Sequence, residues 1–241
     1  MKQLKIKKTD TALFIITAIF VVSLVISNVV TSKLWATGVT LFGVPLTMPG
    51  AAVCYAFTFL ATDIIGEIWG KKQANKTVLF GFVGQIFASL LILFTQYLPA
   101  ASEETQMAYN TLLGQNWVFV IGSLVAYYAS QSWDVWIFHK LRDKYIAKHG
   151  DTKGGRWIWN NLSTMTSQIW DTIIFIGISF GLGFGWFFQK EMLSTLFCMM
   201  LGQYVFKAIL AVLDTPIFYA ITTLLKRGAQ DESSSVSERR S

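Results

Sequence analysis

Charge is scarce in this sequence: Asp, Glu, Lys and Arg make up 14% of its 241 residues, against 53% for the apolar types. Soluble domains carry roughly a quarter charged residues, so an aqueous globule is excluded as the fold class. Histidine is scarce as well. His139 and His149 both lie at or beyond the end of an apolar run, which leaves no intramembrane histidine as a haem ligand or as the base of a serine nucleophile. The two cysteines, Cys54 and Cys198, sit inside apolar runs, where buried free thiols are expected rather than a disulfide framework or a thiolate metal site. No Gly-x-x-x-x-Gly-Lys-Ser/Thr phosphate loop is present, which removes ATP hydrolysis by this chain. Neither a cofactor nor a metal is expected.

What is there in quantity is long apolar sequence. Six runs approach or exceed the ~20 residues that a helix needs to cross a hydrocarbon core. They cover about Thr11–Val30, Ala51–Trp69, Thr77–Leu98, Trp117–Phe138, Asn160–Gly183 and Met192–Leu225. The last contains Pro216, so a kink, a tilt or two shorter pieces are all compatible with it. The first follows a basic arm but is longer than a signal-peptide core and has no small-x-small cleavage pattern, so it reads as a retained helix. The expected fold class is therefore all-α: a polytopic membrane protein with six helices in one bundle over residues 1–227. Residues 228–241, rich in Ser, Glu and Arg, read as a disordered cytoplasmic tail.

Basic residues mark the orientation. They cluster in the N-terminal arm, at Lys71–Lys76, from Lys140 to Arg156, and from Lys226 onward; only Lys33, Lys190 and Lys207 fall elsewhere. The positive-inside rule then places both termini in the cytoplasm, and the loop holding Glu103 and Glu104 outside. The net charge of +6 is on this reading a topology signal, and no nucleic-acid partner is expected. Between the first two spans, Val39–Thr47 contains Gly43-Val44-Pro45 between short β-branched or apolar stretches, which fits either a small hairpin or a re-entrant loop.

One phrase occurs twice inside the apolar runs: Ser130-Gln131-Ser132-Trp133-Asp134 and Ser167-Gln168-Ile169-Trp170-Asp171. An intramembrane carboxylate costs roughly 2.5 to 3.5 kcal/mol on insertion scales, so its repetition points to a task. Gln131 and Asp134 are three residues apart, as are Gln168 and Asp171, a spacing that puts amide and carboxylate on one helical face. Counted at ~1.5 Å per residue from the nearest basic residue, Asp63, Asp134, Asp171 and Asp214 lie roughly 12, 9, 22 and 18 Å inward. Glu67 shares a face with Asp63 nearer the interface. Lys207 is the one cation inside these runs, seven residues from Asp214, and an ion pair between them would lower the cost of both. Carboxylates thus outnumber cations in the bundle, which implies either protonated carboxylates or a site for a donor-rich or cationic ligand.

The sequence resembles the queuosine precursor transporter family, also called the vitamin uptake transporter family. The resemblance rests on Ser27-Asn28 ending the first span, Phe59–Asp63 in the second, and Gln131–Asp134 with Val135 and Phe138 in the fourth. It extends to Ser163-Thr164 before Asp171-Thr172, and to Tyr204-x-Phe206-Lys207. It implies a six-helix bacterial inner-membrane importer of 7-deazaguanines, such as the 7-cyano and 7-aminomethyl compounds, that feeds tRNA modification. A deazaguanine offers a ring N–H and an exocyclic amine side by side, which one carboxylate can accept together, while its carbonyl suits an amide donor. The substrate-binding set is accordingly Asp171, Asp134, Gln168, Gln131, Asp63 and Asn28, with Trp170 and Trp133 as stacking faces. Lys207, Asp214 and Glu67 are assigned to ion pairing or coupling. Partners are then the small-molecule substrate and membrane lipid, and a homo-oligomer is compatible with these residues. Two alternatives stand beside this reading: a substrate-binding subunit energised by a separate ATPase module, and an intramembrane di-aspartate enzyme. The second is disfavoured by the unequal estimated depths of Asp134 and Asp171 and by their Gln neighbours.

Overall fold

A computed structural model describes residues 8–150 and 156–238, with side chains described for 10–150, 162–210, 213 and 216–225. Seven α-helices and one hairpin follow in the order α1 (Lys8–Val30), β1 (Leu34–Leu41), β2 (Val44–Pro49), α2 (Ala51–Trp69), α3 (Lys71–Gln96), α4 (Glu103–Leu113), α5 (Asn116–His149), α6 (Arg156–Ile176) and α7 (Lys190–Glu238). Six of these segments are long and apolar enough to cross a membrane, matching the six runs of the sequence. Their surfaces are inverted relative to a soluble protein. On α3, Leu79, Phe80, Val83, Phe87, Leu90 and Phe94 are exposed, while the buried residues are Thr77, Gly81, Gln85 and Ser89. Lipid solvates the apolar face as well as other helices would, so small and polar residues take the packed positions.

The boundaries have local causes. Gly70 separates α2 from α3 at φ 86° and ψ 162°, a region essentially reserved for glycine, so one apolar helix ends and the next begins without a loop. The β1–β2 segment is a hairpin and not a re-entrant loop. Its turn is Phe42-Gly43, both at positive φ (52° and 80°), as a two-residue type I′ connection requires. Pro45 lies within β2 instead of at the turn. The connection holding Glu103 and Glu104 contains α4, which begins where the Ser102 hydroxyl accepts the Thr105 amide at 3.2 Å, with both glutamates in the first turn. At the other end, α7 is one helix through Pro216 and not two pieces, and it continues to Glu238 through the stretch that reads as tail. The helix of α6 passes into a π-helical segment at Gly177–Leu182, where Gly183 N donates to Ile178 O at 2.9 Å.

The chain divides into two compact units. The first comprises Met1–Lys33, Pro49–Gln106 and Phe206–Ser241; the second comprises Leu34–Met48 and Met107–Val205. In the first, Phe20, Leu24 and Ala61 form the buried core of α1, α2 and α3. In the second, Phe119, Ala126, Phe175, Ile176, Phe180, Leu196 and Met199 do the same for α5, α6 and the start of α7. The hairpin belongs to the second unit, where Cys198 Sγ reaches Leu41 O at 3.6 Å.

Candidate functional site

In the second unit α5 and α6 run antiparallel in constant register. Trp133 Nε1 donates to Thr166 Oγ1 at 3.2 Å, and the Ser167 hydroxyl lies 3.5 Å from Asp134 Oδ1. Toward the other end of the pair, Gly122 faces Ser179 and Val118 faces Gly183. Asp134 is thus level with Ser167. Four residues back on α5 and four on along α6, the same register sets Ser130 level with Asp171. The two copies of the repeated phrase lie against each other with the start of each beside the end of the other, a local pseudo-two-fold arrangement. The depths counted from basic residues are corrected by this register: Asp134 and Asp171 are offset by four residues, about 6 Å along the axes. The count failed because α5 stays helical past Lys140 to His149, so its basic residues do not mark a common level with Arg156.

The packed stripe of α5 contains buried Ala126 and Ser130 and half-buried Trp133 and Asp134. Gln131 falls beside this stripe and is exposed, so the first phrase does not turn its amide inward with its carboxylate. The second phrase does: Gln168 and Asp171 are both half-buried, flanked by buried Ser167 and Thr172. Ser167 gives its proton to Thr164 O at 2.9 Å, so its longer approach to Asp134 is at the limit of a hydrogen bond and leaves that carboxylate acceptor capacity. Gln168 Oε1 is buried with no hydrogen-bond partner among the described residues. Trp133 packs its ring 5.4 Å from Trp170 and 5.2 Å from Trp136, and Lys140 Nζ stands 4.4 Å over the Trp136 ring. Trp133 is therefore held on several sides, whereas Trp170 is 41% exposed and has a face to offer.

Asn28, Asp63, Glu67 and Lys207 lie in the first unit. Asp63 and Glu67 are exposed on α2. Asn28 is buried on α1, and neither its Oδ1 nor its Nδ2 has a hydrogen-bond partner among the described residues. Lys207 is 5% exposed with its Nζ 5.1 Å from the Tyr55 ring centre, a cation–π contact that offsets part of the cost of burying the ammonium. The side chain of Asp214, its expected ion-pair partner, lies outside the described residues. The pairing has its own test: Lys207→Met should reduce folded protein in the membrane, and adding Asp214→Asn should recover part of the loss. A double variant no better than the single, assayed by detergent-extracted monodisperse protein, would assign Lys207 another partner.

Two further buried amides escaped sequence reasoning. Gln85 on α3 and Gln203 on α7 have both side-chain polar atoms sealed from solvent and without hydrogen-bond partners among the described residues. A signal for Gln85 exists in the sequence: Thr77, Gly81, Gln85 and Ser89 recur every fourth position in an otherwise apolar helix, and all four are buried. Gln203 has no such pattern around it. Among the described residues no group of three His, Cys, Asp or Glu side chains is placed to hold a metal ion.

The comparisons with known proteins agree with this architecture. Residues 49–221 match the family described as "Putative vitamin uptake transporter". A Bacillus subtilis (strain 168) protein described as "Probable queuosine precursor transporter" is 29% identical over 201 residues, which is 82% of this chain and 79% of the relative. No solved structure matches. With six membrane-crossing segments and a family match through most of them, the chain is a multi-pass membrane transporter and not an enzyme, and it belongs to the vitamin uptake transporter family.

Proposed function

We propose that the chain imports 7-deazaguanine precursors of queuosine across a bacterial inner membrane, and that the paired phrases of α5 and α6 bind the base. The observation that carries this reading is the register of those helices, which sets two carboxylates about 6 Å apart along one packed pair. Asp171 accepts the ring N–H and the exocyclic amine. The amide of Gln168 donates to the carbonyl, and Trp170 supplies the stacking face. Asp134 is in place to neutralise an aminomethyl cation. The substrate class is that of the Bacillus subtilis relative's description, and the donor-rich edge of a deazaguanine is what two acceptors and an amide would select. Accumulation of labelled 7-cyano-7-deazaguanine by cells lacking their own synthesis of the base, with and without this chain, tests it. Equal accumulation in the two strains would refute the substrate.

Import further requires an orientation. The basic clusters at the N-terminal arm, Lys71–Lys76, Lys140–Arg156 and beyond Lys226 set both termini in the cytoplasm. Ser102, exposed at the start of α4, is then outside. A Ser102→Cys variant on a background without Cys54 and Cys198 should react with an impermeant maleimide added to intact cells. Protection until the cells are lysed would reverse the topology.

A further inference from the structure

Within the first unit, α1 and α3 run parallel and in close contact. Thr17 and Thr77 hydroxyls lie 3.4 Å apart, and one to two turns on a Cβ built at Gly81 would fall 2.6 Å from Phe20 Cε1 and 2.8 Å from Leu24 Cδ2. Four residues beyond Leu24 is Asn28, and four beyond Gly81 is Gln85. One helical turn further along the same faces, Gln85 falls between Leu24 and Asn28, so the two amides are neighbours at this contact, offset by about three residues or ~4.5 Å along the axes. Both are at least 98% buried, and all four of their polar atoms lack hydrogen-bond partners among the described residues. The surrounding hydroxyls behave differently. Ser27 donates to Leu24 O at 2.7 Å and Thr31 to Ser27 O at 2.7 Å, each satisfied within its own helix. Local hydroxyls thus resolve their own desolvation, and the two amides do not.

From this we infer that Asn28 and Gln85 form a second polar station, which pairs with the lactam edge of the transported base at a stage of its passage when Asp171 and Gln168 do not hold it. The inference rests on the deazaguanine reading above. The bare atoms decide the ligand class. A cation would satisfy the two carbonyl oxygens and leave four N–H bonds bare, whereas a carboxylate would do the reverse. A lactam presents C=O and N–H side by side, and an amide answers both at once. Neither amide is charged, and each offers a donor beside an acceptor, so this station binds a neutral edge that carries both and gives no advantage to a bare ion.

The test uses the purified full-length chain in nanodiscs and follows thermal stability with 7-cyano-7-deazaguanine and with 7-cyano-7-deazaadenine, which lacks the lactam. Gln85→Leu should melt at or above the wild-type temperature, because it removes two bare polar atoms from a buried position. It should also raise the half-saturating deazaguanine concentration by at least about tenfold. A melting temperature several degrees below wild type, or failure to fold, would make Gln85 a structural amide and overturn the assignment. Unchanged half-saturation in a stable variant would overturn it too. Wild-type protein unaffected by either base would instead refute the deazaguanine reading, and this station with it.

Discussion

Asp171→Asn is expected to reach the membrane at wild-type levels and to lose uptake of labelled 7-deazaguanine by about two orders of magnitude or more. The substitution keeps the volume and polarity of a half-buried side chain on α6, so the packing of Ser167 and Thr172 beside it should survive. What is lost is a charged double acceptor. Hydrogen bonds to a charged group contribute roughly 1.5 to 3 kcal/mol each, so two give about 3 to 6 kcal/mol, and each 1.4 kcal/mol is about tenfold in binding. Ser167→Ala is the control. Its hydroxyl is already held by Thr164 O at 2.9 Å, so removing it should change uptake less than about threefold. Normal uptake by a well-expressed Asp171→Asn protein would move the base away from the paired phrases and reduce their register to helix packing.

Gly50→Val should cost more folded protein than the same substitution at Gly66, Gly81 or Gly84. Gly50 precedes α2, and its amide donates to Lys33 O at 2.8 Å. A Cβ there would strike the carbonyl oxygen of Val30, the last residue of α1, and lie 3.3 Å from Lys33 O. Both obstacles are backbone and cannot rotate away, unlike the side chains of Phe20 and Leu24 that face Gly81. Overpacking of this kind costs about 1 to 3 kcal/mol or more, which for a chain of this size lowers Tm by roughly 2 to 12 °C. Gly66→Ala is the contrast: its added Cβ would meet only Ala74 Cβ at 4.0 Å. That variant should hold or gain stability, because alanine restricts the unfolded chain and suits a helix interior. Equal melting of the two variants in detergent would show that the α1–α2 junction opens freely.

Sequence by itself determined the solvent and the number of crossings. Run length and the scarcity of charge depend on the bilayer's thickness and on the cost of ions in hydrocarbon, and both are local properties that a linear reading captures. The repeated phrase and its spacing were legible for the same reason, since positions three and four apart share a face in any helix. Tertiary structure decided what those residues meet. Whether Asp134 stands level with Asp171 or a turn away depends on how α5 and α6 pack against each other, and counting from basic residues misjudged it. Whether Gln131 turns in with Asp134 depends on which side of α5 another helix covers. Gln203 looks like an isolated polar residue and Gln85 like one member of a small and polar stripe until packing shows that no described neighbour answers either. An amide's consequence lies in its partners, and partners distant in the chain are fixed only when the helices pack.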